Sequence, residues 1–326
     1  MKSCISKVGK RIMSDNPLIR QRMFAMGEVA ALTNFGVISV SGEDSLSWLN
    51  SLFSQKLDDL SPGETTETLS LDAQGRIQQI IRVVATNESV LLITEKSKLS
   101  ELEEYLVKMR FRKQVEIEAS ELEVVASFNQ PLAEVFWKDS WPEIRLGGYR
   151  YGGRDIEHPL YLNLMQTTPE DAIDFDSIEP LRIFAGRPAE TELDEKTLPH
   201  ELDLLTSAVH LQKGCYRGQE AVAKVHKLGH PPRRLTMLYL EDGTNLPEPG
   251  AELYVGDRVV GKITVVGNHY EAGPVALALL KRNVDPLAEL KLETGHSATQ
   301  EILVPQSAGS VSDVPKMPRL RLSNKP

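Results

Sequence analysis

The densest run of chemically capable residues in the chain is Lys213, Gly214, Cys215, Tyr216, Arg217, Gly218, Gln219 and Glu220, which leads into the helical pattern AVAKVHKL. Two glycines bracket the cysteine, and a cation stands two positions to either side of it. A thiol just before a helix start, flanked by Lys213 and Arg217, has its thiolate favoured by both charges and by the helix dipole. Cys215 is therefore expected to be a reactive thiol, and Cys215, Lys213 and Arg217 are the candidate catalytic residues. The same residues also read as a tight turn into a helix with a cysteine that packs. Glu220 equally reads as a first-turn acid that complements the dipole.

Two further stretches could meet an anion. In Leu71-Asp72-Ala73-Gln74-Gly75-Arg76, Asp72 opens a hairpin turn and Gly75 takes its positive φ, which leaves Arg76 able to reach a ligand or simply to be solvated. In Pro231-Pro232-Arg233-Arg234 a linker carries two arginines that can clamp a carboxylate. His226 lies three helical turns beyond Cys215, so a Cys–His dyad within one element is not supported. The chain has no GxSxG elbow and neither of the glycine-rich phosphate loops. Cys4 and Cys215 form no CxxC and no metal-site spacing, so no metal is expected and a reducing, cytoplasmic setting is.

At 326 residues, with 41% hydrophobic and 25% charged, the chain reads as a globular protein of two or three domains. No apolar run nears the roughly 18 residues that span a bilayer. The net charge of −9 is unevenly spread. Residues 1–12 carry four cations and no acid, and residues 306–326 carry four cations against Asp313, which leaves −16 on the body between them. Phosphate is repelled by such a body unless a local basic groove intervenes, so direct nucleic-acid binding is disfavoured. MKSCISKVGKRI lacks an apolar core for a secretory signal and is short for a transit peptide.

The elements that must position these residues divide the chain into parts. After a basic tail and lead-in (1–27), residues 28–130 alternate strand patterns near 29–32, 37–40, 65–71, 77–86, 90–94, 115–118 and 123–128 with helices after Ser41-Gly42-Glu43-Asp44 and at 97–109. This is an α+β domain with helices on one face. Residues 131–232 form a second, irregular α+β lobe with helices near 178–185 and 218–227, and carry the 213–220 motif. Residues 233–305 are a run of short strands that predicts a small antiparallel β-barrel. The Ser-, Pro- and Gly-rich tail, 306–326, is expected to be disordered.

KGCYRGQE resembles the signature of the YgfZ family, folate-binding proteins related to the T-protein (aminomethyltransferase) of the glycine cleavage system. Other features similar to that family recur in order: Val40-Ser41-Gly42-Glu43-Asp44 with Trp48-Leu49, the LDAQGR hairpin, Ala185-Gly186-Arg187-Pro188, Leu198-Pro199 and Val260-Gly261-Lys262-Ile263-Thr264. The resemblance covers about residues 28–305 and implies a three-domain T-protein-like ring around a channel for tetrahydrofolate. It also implies a role in assembly or repair of iron–sulfur proteins, with those or cluster-assembly proteins as partners and Cys215 as the functional thiol. A folate-dependent aminomethyl or one-carbon transferase and a tRNA-modification accessory protein are the alternatives. Phe35 would flank the pterin, and Asp72, Arg76, Tyr216, Gln219, Glu220, Arg233 and Arg234 are the further folate-binding candidates, with Gly75, Gly214 and Gly218 as structural glycines. Aminomethyltransferases carry an acid just before the helix after the last hairpin strand. The matching stretch, Thr94-Glu95-Lys96-Ser97-Lys98, has no Asp, which weakens the transferase reading.

Overall fold

The computed structural model describes residues 15–141, 143–241 and 245–311. The first half runs through α1 (Pro17–Ala25), β1 (Ala31–Leu32), β2 (Phe35–Ser41), α2 (Ser45–Leu52), β3 (Thr65–Leu71), β4 (Ile77–Ala85), β5 (Ser89–Glu95), α3 (Leu99–Met109) and β6 (Glu116–Ser120). The middle holds β7 (Glu123–Phe128), β8 (Phe136–Lys138), β9 (Leu160–Met165), β10 (Ile173–Asp174), α4 (Glu179–Ala185) and α5 (Gln219–Leu228). The end holds β11 (Arg233–Leu240), β12 (Glu252–Val255), β13 (Arg258–His269), β14 (Gly273–Lys281), β15 (Leu290–Leu292) and β16 (Ser297–Ile302).

Three sheets organise these elements. The first has the order β3-β4-β5-β2-β6, the second β10-β1-β7-β9-β8, and β11-β14-β13-β12-β15-β16 close into a barrel. Every pairing is antiparallel except β1 with β10. The α+β class and the C-terminal barrel expected from the sequence are thus present. The strand grouping differs at two strands: β1 and β7 pair with each other in the second sheet, so only β6 closes the first.

Period-2 alternation explains how the first sheet buries both faces. Ile38, Val40, Ile81, Val83 and Leu92 pack under α2 and α3 with Trp48, Leu49, Leu102 and Leu106. Val37, Val84 and Ile93 point the other way, onto Val124, Ala126, Leu162 and Leu164 of the second sheet. In the barrel, Ala276, Ala278 and Leu280 face inward, and the small alanines suit a tight lumen. Val275, Leu277 and Leu279 face outward onto Leu69, Leu71, Ile77, Ile80 and Ile183. That apolar outer face joins the barrel to the rest of the ring.

The segments flanking the sheets lock the ring. Gln21 of α1 donates to the carbonyls of Ser177 (3.3 Å) and Asn268 (3.2 Å) and accepts from the Tyr270 N–H (2.7 Å), so the lead-in ties the second lobe to the barrel. Residues 306–311, expected with the disordered tail, are docked instead: the His230 ring donates to the Ala308 carbonyl at 2.7 Å. Residues 1–14 and 312–326, with their basic side chains and Cys4, lie outside the described residues.

Candidate functional site

The sequence motifs separate into a structural joint and a cavity wall. At the joint, the Asp72 carboxylate accepts from the backbone N–H groups of Gln74 and Arg76, both at 2.8 Å, and closes the hairpin turn. That turn lies against the 213–220 motif, where Gly218 (φ +84°) caps the start of α5. Gln219 donates to the Lys213 carbonyl at 3.0 Å, and Glu220 stands exposed in the first helical turn. Gly214 has open space where a Cβ would go.

The two cations flanking Cys215 have different environments. Lys213 is buried, and its ammonium donates to the carbonyls of Asn50 (2.5 Å), Phe53 (2.8 Å) and Gln55 (2.6 Å), which belong to the last turn of α2 and the residues just beyond it. Burial pulls its pKa down to about 7. The Lys213 nitrogen also lies 5.4 Å above the ring of buried Tyr216. Cys215 and Arg217 are exposed, in a groove of about 440 Å³ with Ser51, Leu52, Tyr105, Met109 and Tyr216.

Arg233 and Arg234 are both taken up internally. Arg233 forms ion pairs with Asp194 (2.5 Å) and buried Glu201 (2.8 Å). Arg234 is fully buried and donates to Thr236, Gln300 and the Val284 carbonyl.

Phe35 lies elsewhere, in a partly open cavity of about 290 Å³ where all three sheets meet. Phe35, Arg82 and Glu95 come from the first sheet and Asn34 from the bend before β2; Trp137, Asp139, His158, Leu160, Glu179 and Arg182 come from the second lobe and Val265 from the barrel. The loop 187–191, which lies beyond the αL cap at Gly186, supplies Arg187 and Glu190. Of the folate-binding candidates read from the sequence, only Phe35 lines this cavity. Asp72, Arg76, Tyr216, Gln219 and Glu220 belong to the joint or its groove.

Two of the three arginines in the cavity wall are neutralised by carboxylates, and one is not. Arg187 pairs with Glu67 (2.5 Å) and Asp139 (3.1 Å), all three buried. Burial alone would raise the Asp139 pKa, but Arg187 and the hydrogen bond from His158 outweigh it and hold the carboxyl at about 2. Arg182 is held by Glu179, by Glu192 (2.9 Å), by Thr191 and by the Arg187 carbonyl. Arg82 is the exception. It shares the β4 face of Ile80 and Val84, its guanidinium lies 4.4 Å from the Phe35 ring centre and 5.6 Å from that of Trp137, and its buried Nη1 has no hydrogen-bond partner among the described residues.

Glu190 completes the wall. Its Oε1 accepts from the Ile80 N–H at 2.8 Å, and burial pushes its pKa up to about 7. A neighbouring groove of about 370 Å³ shares Glu95, Glu190 and Thr191 with the cavity. The wall thus offers an orphaned donor, a carboxyl poised near neutrality and flanking aromatics. That set suits a flat heterocycle with both acceptor and donor atoms on its edge. One local signal marked Arg82: a lone cation in the apolar run Ile80-Ile81-Arg82-Val83-Val84. Nothing local marked Glu190.

Comparison with known proteins bears on the fold. No protein-family model matches the chain. The crystal structure of the glycine cleavage system aminomethyltransferase T from Bartonella henselae superposes with a TM-score of 0.68 at 16% identity, over 89% of each chain. Two proteins named tRNA-modifying protein YgfZ are each 25% identical: one from Aliivibrio fischeri, over 81% of this chain and 88% of its own, and one from Vibrio vulnificus, over 81% and 87%. A chloroplastic protein of Arabidopsis thaliana, named provisionally as a transferase, is 26% identical over 89% of this chain and 71% of its own. The protein therefore has the T-protein fold, an α+β ring closed by an antiparallel barrel. Within that fold it is YgfZ-like.

Proposed function

We propose that this chain binds a reduced folate, tetrahydrofolate, with the pterin head in the three-sheet cavity. The single observation that carries the reading is that one cavity wall holds both Arg82, whose Nη1 lacks an acceptor among the described residues, and Glu190. A volume near 290 Å³ suits a bicyclic head and leaves the aminobenzoyl-glutamate outside. Glu190 would accept from the N–H groups on the pyrimidine edge, and Phe35 and Trp137 would supply apolar contact.

The cellular role we propose is support of iron–sulfur enzymes, with Cys215 as a second, separate functional site. A single thiol cannot hold a stable cluster, so any cluster contact would be shared with a partner protein. The relatives named for tRNA modification favour an accessory role in that process over direct RNA contact, given the −16 body. A folate-dependent one-carbon transferase is the second reading. The observation favouring it is Glu95, which ends β5, lines the cavity and offers a carboxylate near a bound folate.

Anaerobic calorimetry with tetrahydrofolate tests the binding reading. Saturation near one per chain, abolished by Glu190→Ala, is the expected result; no detectable heat with wild type overturns it. Turnover of an aminomethyl donor by the folate-loaded protein, lost in Glu95→Gln, would move the function to the transferase reading. Full rescue of iron–sulfur enzyme activity in a null strain by Cys215→Ala would remove the thiol's role.

A further inference from the structure

We infer that Arg82 reads the acceptor edge of the ligand and makes the cavity selective for a pterin bearing a carbonyl oxygen at ring position 4 over one bearing an amino group there. This rests on the folate reading above and specifies what that site discriminates.

Three arginines line the cavity, and two of them are spent. Arg187 is neutralised by Glu67 and Asp139, and Arg182 by Glu179 and Glu192. Arg82 is 6% exposed, has no ion pair among the described residues and keeps a buried Nη1 without an acceptor. Leaving a buried donor unmade costs free energy that a ligand acceptor can recover. Its plane is confined by Phe35 and Trp137, so the donor is preorganised rather than free to swing out to water.

The surroundings narrow the acceptor to a neutral oxygen. Glu95, Asp176 and Glu190 line the same cavity with no ion pair to its arginines, so a ligand carboxylate brought to Arg82 would meet acidic side chains that nothing there neutralises. A carbonyl carries no such penalty. Glu190 also lies close enough for its charge and that of Arg82 to act on each other. A donor beside an acceptor matches a lactam edge, in which C=O stands next to N–H, as in a 4-oxopterin. A 4-aminopterin would turn an N–H toward the guanidinium and leave Nη1 unpaired. Sites built around a specific hydrogen bond reject the analogue that lacks it far more strongly than apolar pockets do.

The bland role for Arg82 is a cation wedged between two rings. A wedge alone would change the affinities for both pterins together, whereas an edge reader changes their ratio. The test is anaerobic calorimetry on the full chain with tetrahydrofolate and with its 2,4-diamino counterpart, tetrahydroaminopterin. Wild type is expected to prefer tetrahydrofolate by roughly tenfold or more. Arg82→Met, which keeps the stem between the rings, should cut that preference by about fivefold or more, leaving what Glu190 reads at the ring N–H, and Arg82→Lys should lie between. Equal binding of both compounds by wild type, or an undiminished preference in Arg82→Met, overturns the inference while leaving folate binding intact. Failure of wild type to bind either compound removes the folate reading and this one with it. Should a thermal melt show Arg82→Met to be unfolded, the wild-type ratio and Arg82→Lys decide.

Discussion

Gly75 of the hairpin and Gly218 of the cysteine motif stand back to back: a Cβ built on Gly218 would lie 3.0 Å from the Cα of Gly75 and 2.5 Å from the Asp72 carbonyl oxygen. Both glycines have positive φ, +74° and +84°. Two motifs far apart in sequence are therefore two halves of one joint, and their glycines are there because backbone must touch backbone. A side chain at Gly218 meets a left-handed backbone and a clash with main chain at once. Gly218→Ala is expected to lower unfolding free energy by about 2 kcal/mol or more. Gly214→Ala, whose Cβ meets nothing within 4 Å, should stay within about 0.5 kcal/mol of wild type in the same urea titration.

Lys213 is the other half of that joint's chemistry. Its three hydrogen bonds satisfy carbonyls at and beyond the C-terminal end of α2, which have no donor within the helix. Lys213→Met keeps the stem and deletes the donors, so it should cost about 3 kcal/mol by stranding buried carbonyls. The loss is expected as faster amide exchange at residues 50–57 as well as in global stability. A variant as stable as wild type, with unchanged exchange there, would return the lysine to the thiol-activating role that its spacing suggests.

The parts of the molecule legible in the sequence are those encoded locally. The barrel strands, α3 and α5 arise from alternation and helical spacing, and Asp72 with Gly75 announces its own turn. The cavity was less legible because it is assembled from distant pieces: Arg82 from β4, Trp137 from β8 and Glu190 from the loop after α4 converge only when the ring closes. Arg233 and Arg234 misled for the complementary reason. A pair of arginines after two prolines looks available to a ligand, and only the fold brings Asp194 and Glu201 to one and the barrel interior to the other.

Separation of thiol and cavity has a direct consequence. Cys215 lines the groove beside Tyr105 and Met109, and that groove shares no lining residue with the cavity holding Phe35 and Arg82. Alkylation of Cys215 with iodoacetamide should leave the tetrahydrofolate dissociation constant within about twofold of its original value, since no ligand contact is altered. Saturating folate should likewise leave the alkylation rate unchanged. Protection of the thiol by folate would mean that the two sites are coupled and that the separate-site reading is wrong.

Glu190 makes folate binding a proton-linked event. Burial raises its carboxyl from 4.5 to about 7 in the free protein, so at pH 6 it is mostly protonated. Accepting from two ligand N–H groups requires the ionised form, so binding lowers the pKa again and expels the proton. Affinity should therefore be flat above about pH 7 and weaken toward roughly tenfold per pH unit as pH falls below it, until the bound-state pKa is reached. Calorimetry at pH 6 in two buffers of different ionisation enthalpy should report release of nearly one proton per folate bound. Glu190→Gln should bind more weakly at pH 8 and show a flat profile, because its amide neither ionises nor presents two acceptors. A wild-type affinity that is constant from pH 8 to 6, with no proton released, would mean that the pterin edge meets some other group and that Glu190 only anchors the Ile80 N–H.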